Sequence, residues 1–205
     1  MKKIFLTIAF AGMAWVANAQ TSQGRLFING TFSVSSQTVE RDDDERESSL
    51  QFAPAVGYFI ADRFALGLGF GLSTNRNEDT NGNTRVIASS SGFSVAPFAR
   101  YYVPTANEKF QFFAQGTFAF GSSRGSVRTE TPNSTITVES NPTRTLDFSI
   151  SPGFAYFPSD HWALELRFRG FYIESVNPDG NDNNRTEVGL NVNSLSPSLG
   201  LSYFF

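Results

Sequence analysis

The sequence predicts an all-β fold, an eight-stranded antiparallel up-and-down barrel of the transmembrane kind. Three observations predict it. Large apolar residues alternate with small ones along segment after segment, the period-two signature of strands. The composition favours sheet over helix and leaves little charge for a solvated surface: of 205 residues only 17% are charged, with 22 Phe, 17 Gly and no Cys. The connections between the alternating segments are short at one end of the fold and long and polar at the other.

The first residues lie outside the fold. Lys2 and Lys3 form a basic start, "IFLTIAFAGMAWV" is an apolar stretch too short to span as a helix, and "ANA" at 17–19 is a small-x-small cleavage signal. Residues 1–19 therefore read as a cleaved secretory signal peptide and 20–205 as the barrel domain, in preference to a retained helical anchor. Loss of Lys2 and Lys3 takes the net charge from −3 to −5, too little of either sign to suggest a nucleic-acid partner. Without Cys there is no disulfide framework, thiolate metal site or lipid attachment through a cysteine. No later segment carries an apolar run long enough for a second membrane helix.

Eight strands follow in order. Leu26, Ile28, Phe32 and Val34 share a face opposite Phe27, Asn29, Thr31 and Ser33; Phe52, Val56, Tyr58 and Ile60 oppose Ala53, Ala55 and Gly57. In "FALGLGFGLS" (64–73) Phe64, Leu66, Leu68, Phe70 and Leu72 oppose Ala65, three glycines and Ser73. Phe93, Val95, Ala99 and Tyr101 oppose Ser94, Ala96 and Arg100; Phe110, Phe112, Phe118 and Phe120 oppose Gln111, Gln115 and Thr117. Phe148, Ile150, Phe154 and Tyr156 oppose Ser149, Ser151 and Gly153. Trp162, Leu164, Leu166, Phe168 and Tyr172 oppose Glu165, Arg167 and Arg169. Leu195, Leu199, Leu201, Tyr203 and Phe205 oppose Ser196, Ser198, Gly200 and Ser202, with a slip of parity near Asn193–Ser194 that fits a bulge.

The small face is a poor solvent surface and a good lining for a narrow barrel, so the large residues point to lipid and the small ones to the lumen. A sheet in lipid must close, because no free edge is tolerated there. The main charges within the strands, Arg100, Glu165, Arg167 and Arg169, all fall on the small face. They are expected to form a polar cluster in the lumen, with Arg100 and Glu165 as the first pairing, and a structural ion-pair plug is favoured over a gate or ion path.

Alternate strands share a second pattern, a proline followed by aromatics, in "PAVGYFIAD" (54–62), "PFARYYVPT" (97–105), "PGFAYFPSD" (152–160) and "PSLGLSYFF" (197–205). Tyr58, Tyr101, Tyr156, Trp162, Tyr203 and Phe205 are expected to form an interfacial aromatic girdle. A bulge or kink is expected at each proline, which lacks a ladder donor. The connections "ADR", "PTANEK" and "PSDH" are short; 37–49, 75–83, 122–144 and 176–185 read as long polar loops. That asymmetry is the arrangement of periplasmic turns and extracellular loops, with both termini in the periplasm. The 186 residues after the cleavage signal suit eight strands; sixteen would need roughly 300.

These residues resemble the small outer-membrane β-barrel family, which includes the membrane domain of outer membrane protein A and its short relatives. The last strand, with Leu199, Leu201, Tyr203 and terminal Phe205, resembles the signal read by the barrel-assembly machinery. The resemblance implies a bacterial outer-membrane location, with outer-membrane lipids and that machinery as partners; any surface partner is left unnamed. The chain lacks the C-terminal peptidoglycan-binding domain of full-length outer membrane protein A, so wall anchoring is not implied.

Catalytic and metal-binding signals are weak, and neither a catalytic residue, a metal site nor a cofactor is assigned. The lone histidine, His161, sits in a short turn beside Asp160 without a serine arrangement like that of the lipid A deacylase barrels. "NEDTNGN" (77–83) and "DGNDNN" (179–184) lack the closing bidentate carboxylate of a calcium loop, and the former reads as an Asn-Gly hairpin turn. Residues 40–47 hold six acids and two arginines, read as a solvated loop tip before a site bridging divalent cations to surface sugars. The sequence thus indicates a non-enzymatic outer-membrane barrel with a plugged lumen and a structural, envelope-integrity or surface-interaction role through its long loops. An adhesin or receptor using 122–144, a lipid-modifying barrel enzyme and a narrow solute channel are the alternatives.

Overall fold

The computed structural model describes residues 19–40, 44–178, 184–190 and 198–205; the expected signal peptide, the parity slip near Asn193–Ser194, Pro197 and most of "DGNDNN" lie outside them. Eleven strands are present among the described residues: β1 Leu26–Glu40, β2 Asp44–Ala61, β3 Phe64–Asn81, β4 Thr84–Pro104, β5 Phe110–Thr131, β6 Ser134–Glu139, β7 Thr143–Tyr156, β8 Trp162–Arg167, β9 Phe171–Asn177, β10 Arg185–Leu190 and β11 Ser198–Phe204. They form eight staves, because β8 and β9 run along one line beside β7, and β10 and β11 along the next. All pairings are antiparallel, and the ring β1-β2-β3-β4-β5-β7-β8-β11 closes where Phe27 pairs with Phe204. From Phe27 to Thr31 that seam leaves no backbone edge open, the condition a sheet must meet in hydrocarbon.

Facing follows parity. Phe93 is 60% exposed, while Arg100 on the opposite face of the same strand is 1% exposed. Leu66, Leu68, Phe70 and Leu72 are all exposed on β3, as are Phe112, Phe118 and Phe120 on β5. So continuous a greasy exterior would be an aggregation surface in water and is the lipid-contacting band of a membrane barrel.

The seventh stave departs from the expected face. Pairing with β7 runs Gly153↔Arg167 below and Ile150↔Phe171 above, so Phe168, Arg169 and Gly170 oppose only Ser151 and Pro152. One extra residue is a bulge, and beyond it parity inverts. Phe171 and Ile173 therefore face outward, and Tyr172, expected on the lipid face, turns inward. The other described prolines need no bulge. Pro54 pairs with Gly30 and Pro97 with Leu68, but the ladder to the following strand skips two positions at each without changing register. A missing donor is tolerated by leaving the bridge on that side unmade.

The long polar connections are a second correction. Residues 37–40 and 44–49 pair in register to Glu40↔Asp44, 75–81 pair with 84–90, and 126–131 pair with 134–139. These are strands continued as hairpins. β4 and β5 have 21 and 22 residues, about twice the 9–11 that a tilted strand needs to cross the hydrocarbon. Gly82 at φ +57° takes the first central position of the β3–β4 turn, with Asn83 the second, one place on from the expected Asn-Gly pair. At the other end the connections are short: Asp62 and Arg63, then 105–109, then 157–161.

Candidate functional site

The short-turn end of the barrel interior holds the buried polar cluster. Arg100 on β4 and Glu165 on β8 come from strands three places apart in the ring and meet across the lumen. Arg100 Nη1 donates to Glu165 Oε1 at 2.8 Å and to Oε2 at 2.9 Å. The guanidinium also donates to Gln115 Oε1 and to the Tyr102 hydroxyl, each at 2.8 Å. Glu165 is held from its other side: Ser202 Oγ donates to Oε1 at 2.6 Å and Asn29 Nδ2 to Oε2 at 3.3 Å. Five strands, β1, β4, β5, β8 and β11, thus place one side chain each or more on a single ion pair. A buried pair is tolerated only when its remaining donors and lone pairs are satisfied in this way.

Aromatic rings surround the pair. The Arg100 guanidinium lies 4.4 Å from the Phe113 ring centre and 5.3 Å from that of Phe27, with Phe98 and Tyr102 each at 5.7 Å. Phe27 stacks on Phe204 at 5.3 Å, and Phe59 and Phe157 complete the cluster, all buried. Glycines make the room. Phe27 is cross-strand from Gly57, Phe98 from Gly67 and Phe113 from Gly153. A Cβ on any of these glycines would come within 2.3 Å of the facing ring, so each ring lies flat where a side chain would otherwise stand.

A family model for the outer membrane protein beta-barrel domain matches residues 4–202, nearly the whole chain. The chain belongs to that family. Its location is accordingly the bacterial outer membrane. Solved structures similar to this outer-membrane barrel include Ail of Yersinia pestis, 12% identical over 89% of this chain and 99% of that one, with a TM-score of 0.44. OprG of Pseudomonas aeruginosa is 18% identical over 91% and 98%, with a TM-score of 0.43. A major outer membrane protein from Thermus thermophilus is 11% identical over 89% and 99%, with a TM-score of 0.45. No curated protein matches the chain.

The four strand charges of the outer-membrane barrel do not form one cluster. Arg167 stands next above Glu165 on the inner face of β8 and is partly buried. Arg169, from the bulge, is carried away to a second network: it donates to Asp147 at 3.3 Å and Glu174 at 2.8 Å and lies 3.9 Å from the Tyr172 ring centre. Tyr172 in turn donates to Glu187 at 2.7 Å. Of the aromatic residues assigned to the girdle, Tyr58, Tyr101, Trp162 and Phe205 are exposed on the outer wall, while Tyr156 and Tyr203 are half-buried. Trp162 and Phe205 pack edge-on against Tyr203 at 4.9 and 5.0 Å, and Tyr156 stacks on Phe110. His161 is an exposed ring stacked 5.8 Å from Tyr203. Asn77, Asp79 and Asn81 lie on strand β3, so no loop wraps an ion there. Among the described residues no group of three or more His, Asp or Glu converges to hold a metal.

The sequence reading missed the inward rings Phe59, Tyr102, Phe113, Phe157 and Phe204. A signal for them existed. Tyr58-Phe59, Tyr101-Tyr102, Phe112-Phe113, Tyr156-Phe157 and Tyr203-Phe204 are aromatic doublets, and successive residues of a strand face opposite ways. One ring of every doublet must enter the barrel.

Proposed function

We propose that the mature chain, beginning near Gln20, is a non-enzymatic structural protein of the outer membrane, closed to solutes and contributing to envelope integrity through its lipid contacts and surface hairpins. The observation that carries this reading is Arg100. A guanidinium 1% exposed, hydrogen-bonded to three side chains and caged by four rings, occupies the axis of the tube. A water-filled path at that level would have to displace an ion pair and its aromatic packing together.

The exterior supports the lipid part of the proposal. Beyond the apolar band, Arg46, Arg76, Arg85, Arg124, Arg128 and Arg144 stand at outward positions, against Glu78, Glu130 and Glu139. Arg76 follows Leu72 and Arg124 follows Phe120 by four residues, about 13 Å along a strand. Guanidinium is the side chain best suited to phosphate-bearing headgroups, so anionic outer-leaflet lipids are the proposed partner there. The barrel-assembly machinery is the proposed partner during insertion, through the terminal strand.

Planar-bilayer recording of refolded protein tests closure. We expect no unitary conductance from the wild type. Steady single-channel steps that survive in the wild type and change size in R100A would refute the plug. Flotation with vesicles tests the lipid contact: charge removal at Arg76, Arg124 and Arg144 is expected to lower retention of anionic lipid while leaving neutral lipid unchanged.

A further inference from the structure

Above the caged pair the lumen holds open space, and Arg167 stands in its wall without a paired carboxylate. A cavity of about 220 Å³ is lined by Asn29, Ser94, Thr117, Ser149, Ser151 and Arg167 among others. It shares Ala53, Gly71 and Ser94 with a second cavity of about 390 Å³ nearer the hairpin end. The Arg167 guanidinium makes no hydrogen bond or ion pair with any described residue; its backbone carbonyl accepts from Ser198 Oγ at 3.2 Å. Its neighbour on the same face, Glu165, has nothing left to offer. A carboxylate presents about four lone-pair positions, and here they receive Arg100 twice, Ser202 and Asn29. The carboxylate lining the upper cavity, Asp147, is engaged by Arg169. Two arginines and one carboxylate at this level leave one positive charge, facing a wall of hydroxyls that can rotate to donate.

We propose that Arg167 and these hydroxyls form a binding site for a small inorganic anion, a halide or an oxoanion such as phosphate, inside the barrel. A partly desolvated guanidinium is costly unless a counter-charge meets it, and no described carboxylate pairs with this one: Glu165 is taken by Arg100, and Asp147 and Glu174 by Arg169. Its planar fork presents several donors on one side. Ser149, Ser151 and Thr117 give further donors on the β7 and β5 side, while the glycine and alanine lining of β2 and β3 leaves the volume free. A cation would find a fixed positive charge; an anion completes the charge balance. The site adjoins the Arg100 plug, sharing Asn29 and Gln115 with it, but its anion is held by Arg167, so it stands whether or not the tube conducts.

The probe is bromide. Crystals of the full mature chain grown in sodium bromide are expected to give an anomalous peak within about 3.5 Å of the Arg167 guanidinium, the reach of a charge-assisted hydrogen bond to a large ion. Arg167→Gln removes the charge and should abolish the peak. Arg167→Lys keeps the charge without the fork and should retain a weaker one; it also serves if the glutamine variant fails to fold. In solution, the temperature at which the folded gel band disappears should rise with bromide or phosphate in the wild type and lose that dependence in Arg167→Gln. Absence of the peak beside Arg167 in the wild type overturns the proposal. So does equal anion dependence in wild type and variant, which would be a bulk salt effect, or a peak that persists in Arg167→Gln.

Discussion

Two sets of arginine–glutamate contacts in this barrel use the same chemistry in opposite surroundings. Arg100 and Glu165 meet inside the tube, at 1% and 4% side-chain exposure. Arg76, Glu78, Arg85, Glu130 and Arg128 form a ladder across the outward face of the β3–β4–β5 hairpins, with every arginine in it at least 44% exposed. In the first case water is excluded, the attraction is unscreened, and each charge depends on the other to remain buried. In the second, water and salt replace most of what a partner supplies. Contact geometry is similar in both; the environment decides which set the fold depends on.

The largest expected effect follows from separating the buried pair. Glu165→Ala leaves Arg100 without its counter-charge inside the aromatic cage, and removal of one partner of such a pair costs about 3–5 kcal/mol. The urea midpoint of unfolding from lipid vesicles should fall accordingly. Replacing both partners, Arg100→Met with Glu165→Leu, should recover most of the loss, since no charge is then stranded. A double variant as unstable as the single one would mean that the surrounding donors, Asn29, Ser202 and Gln115, matter more than the charges.

The next test concerns the rings around the pair. Gly67→Ala sets a methyl group against the Phe98 ring and the Val56 carbonyl oxygen, and overpacking of this kind costs about 1–3 kcal/mol. Gly116→Ala meets nothing within 4 Å and should leave the unfolding midpoint unchanged. Equal effects at the two sites would show that the flat seating of ring on glycine contributes little.

These two regions were also unequally legible in the sequence. The transmembrane strands could be read because lipid on one side and a narrow lumen on the other give alternation its contrast: "FALGLGFGLS" states both faces. Arg100 and Glu165 could be placed together because charge on the small face has nowhere to go but the lumen. The hairpins could not be read, because both faces of a strand beyond the membrane are wetted and alternation disappears. Residues 75–81 look like loop and are ladder with 84–90, held by backbone bonds and β-branched or charged cross-strand neighbours. The reversal at Tyr172 was hidden for another reason: a bulge needs only one extra residue, and Phe168, Arg169 and Gly170 carry no fixed sequence mark of it.

Removing a hairpin therefore separates the regions physically. In a chain with residues 126–139 replaced by a two-residue Asn-Gly link, the ring pairings from Ser123↔Thr143 downward are all retained. The barrel should still migrate as a compact band in detergent until boiled, with an unfolding midpoint much closer to wild type than that of Glu165→Ala. Failure to fold would show that the hairpin, not the membrane segment, nucleates the β5–β7 pairing.

The smallest effect is expected at Glu78, the centre of the exposed ladder. Arg85 first, then Arg76, holds its carboxyl below the usual glutamate range through hydrogen bonds. The sign follows: a carboxyl whose folded pKa is depressed stabilises the fold above its unfolded pKa, and that contribution is lost as pH falls through the folded value. Glu78→Gln should therefore differ from wild type at neutral pH and low salt, converge on it below the glutamate range, and converge again at neutral pH when salt is raised. An NMR titration of the Glu78 side chain checks the depression directly, and added salt should bring it back toward the ordinary value. Glu165→Ala should keep its deficit in the same high-salt buffer, because screening ions do not reach the Arg100 cage. If salt rescued both variants alike, the Arg100 level would be open to solvent, and the contrast between buried and exposed pairs would fail.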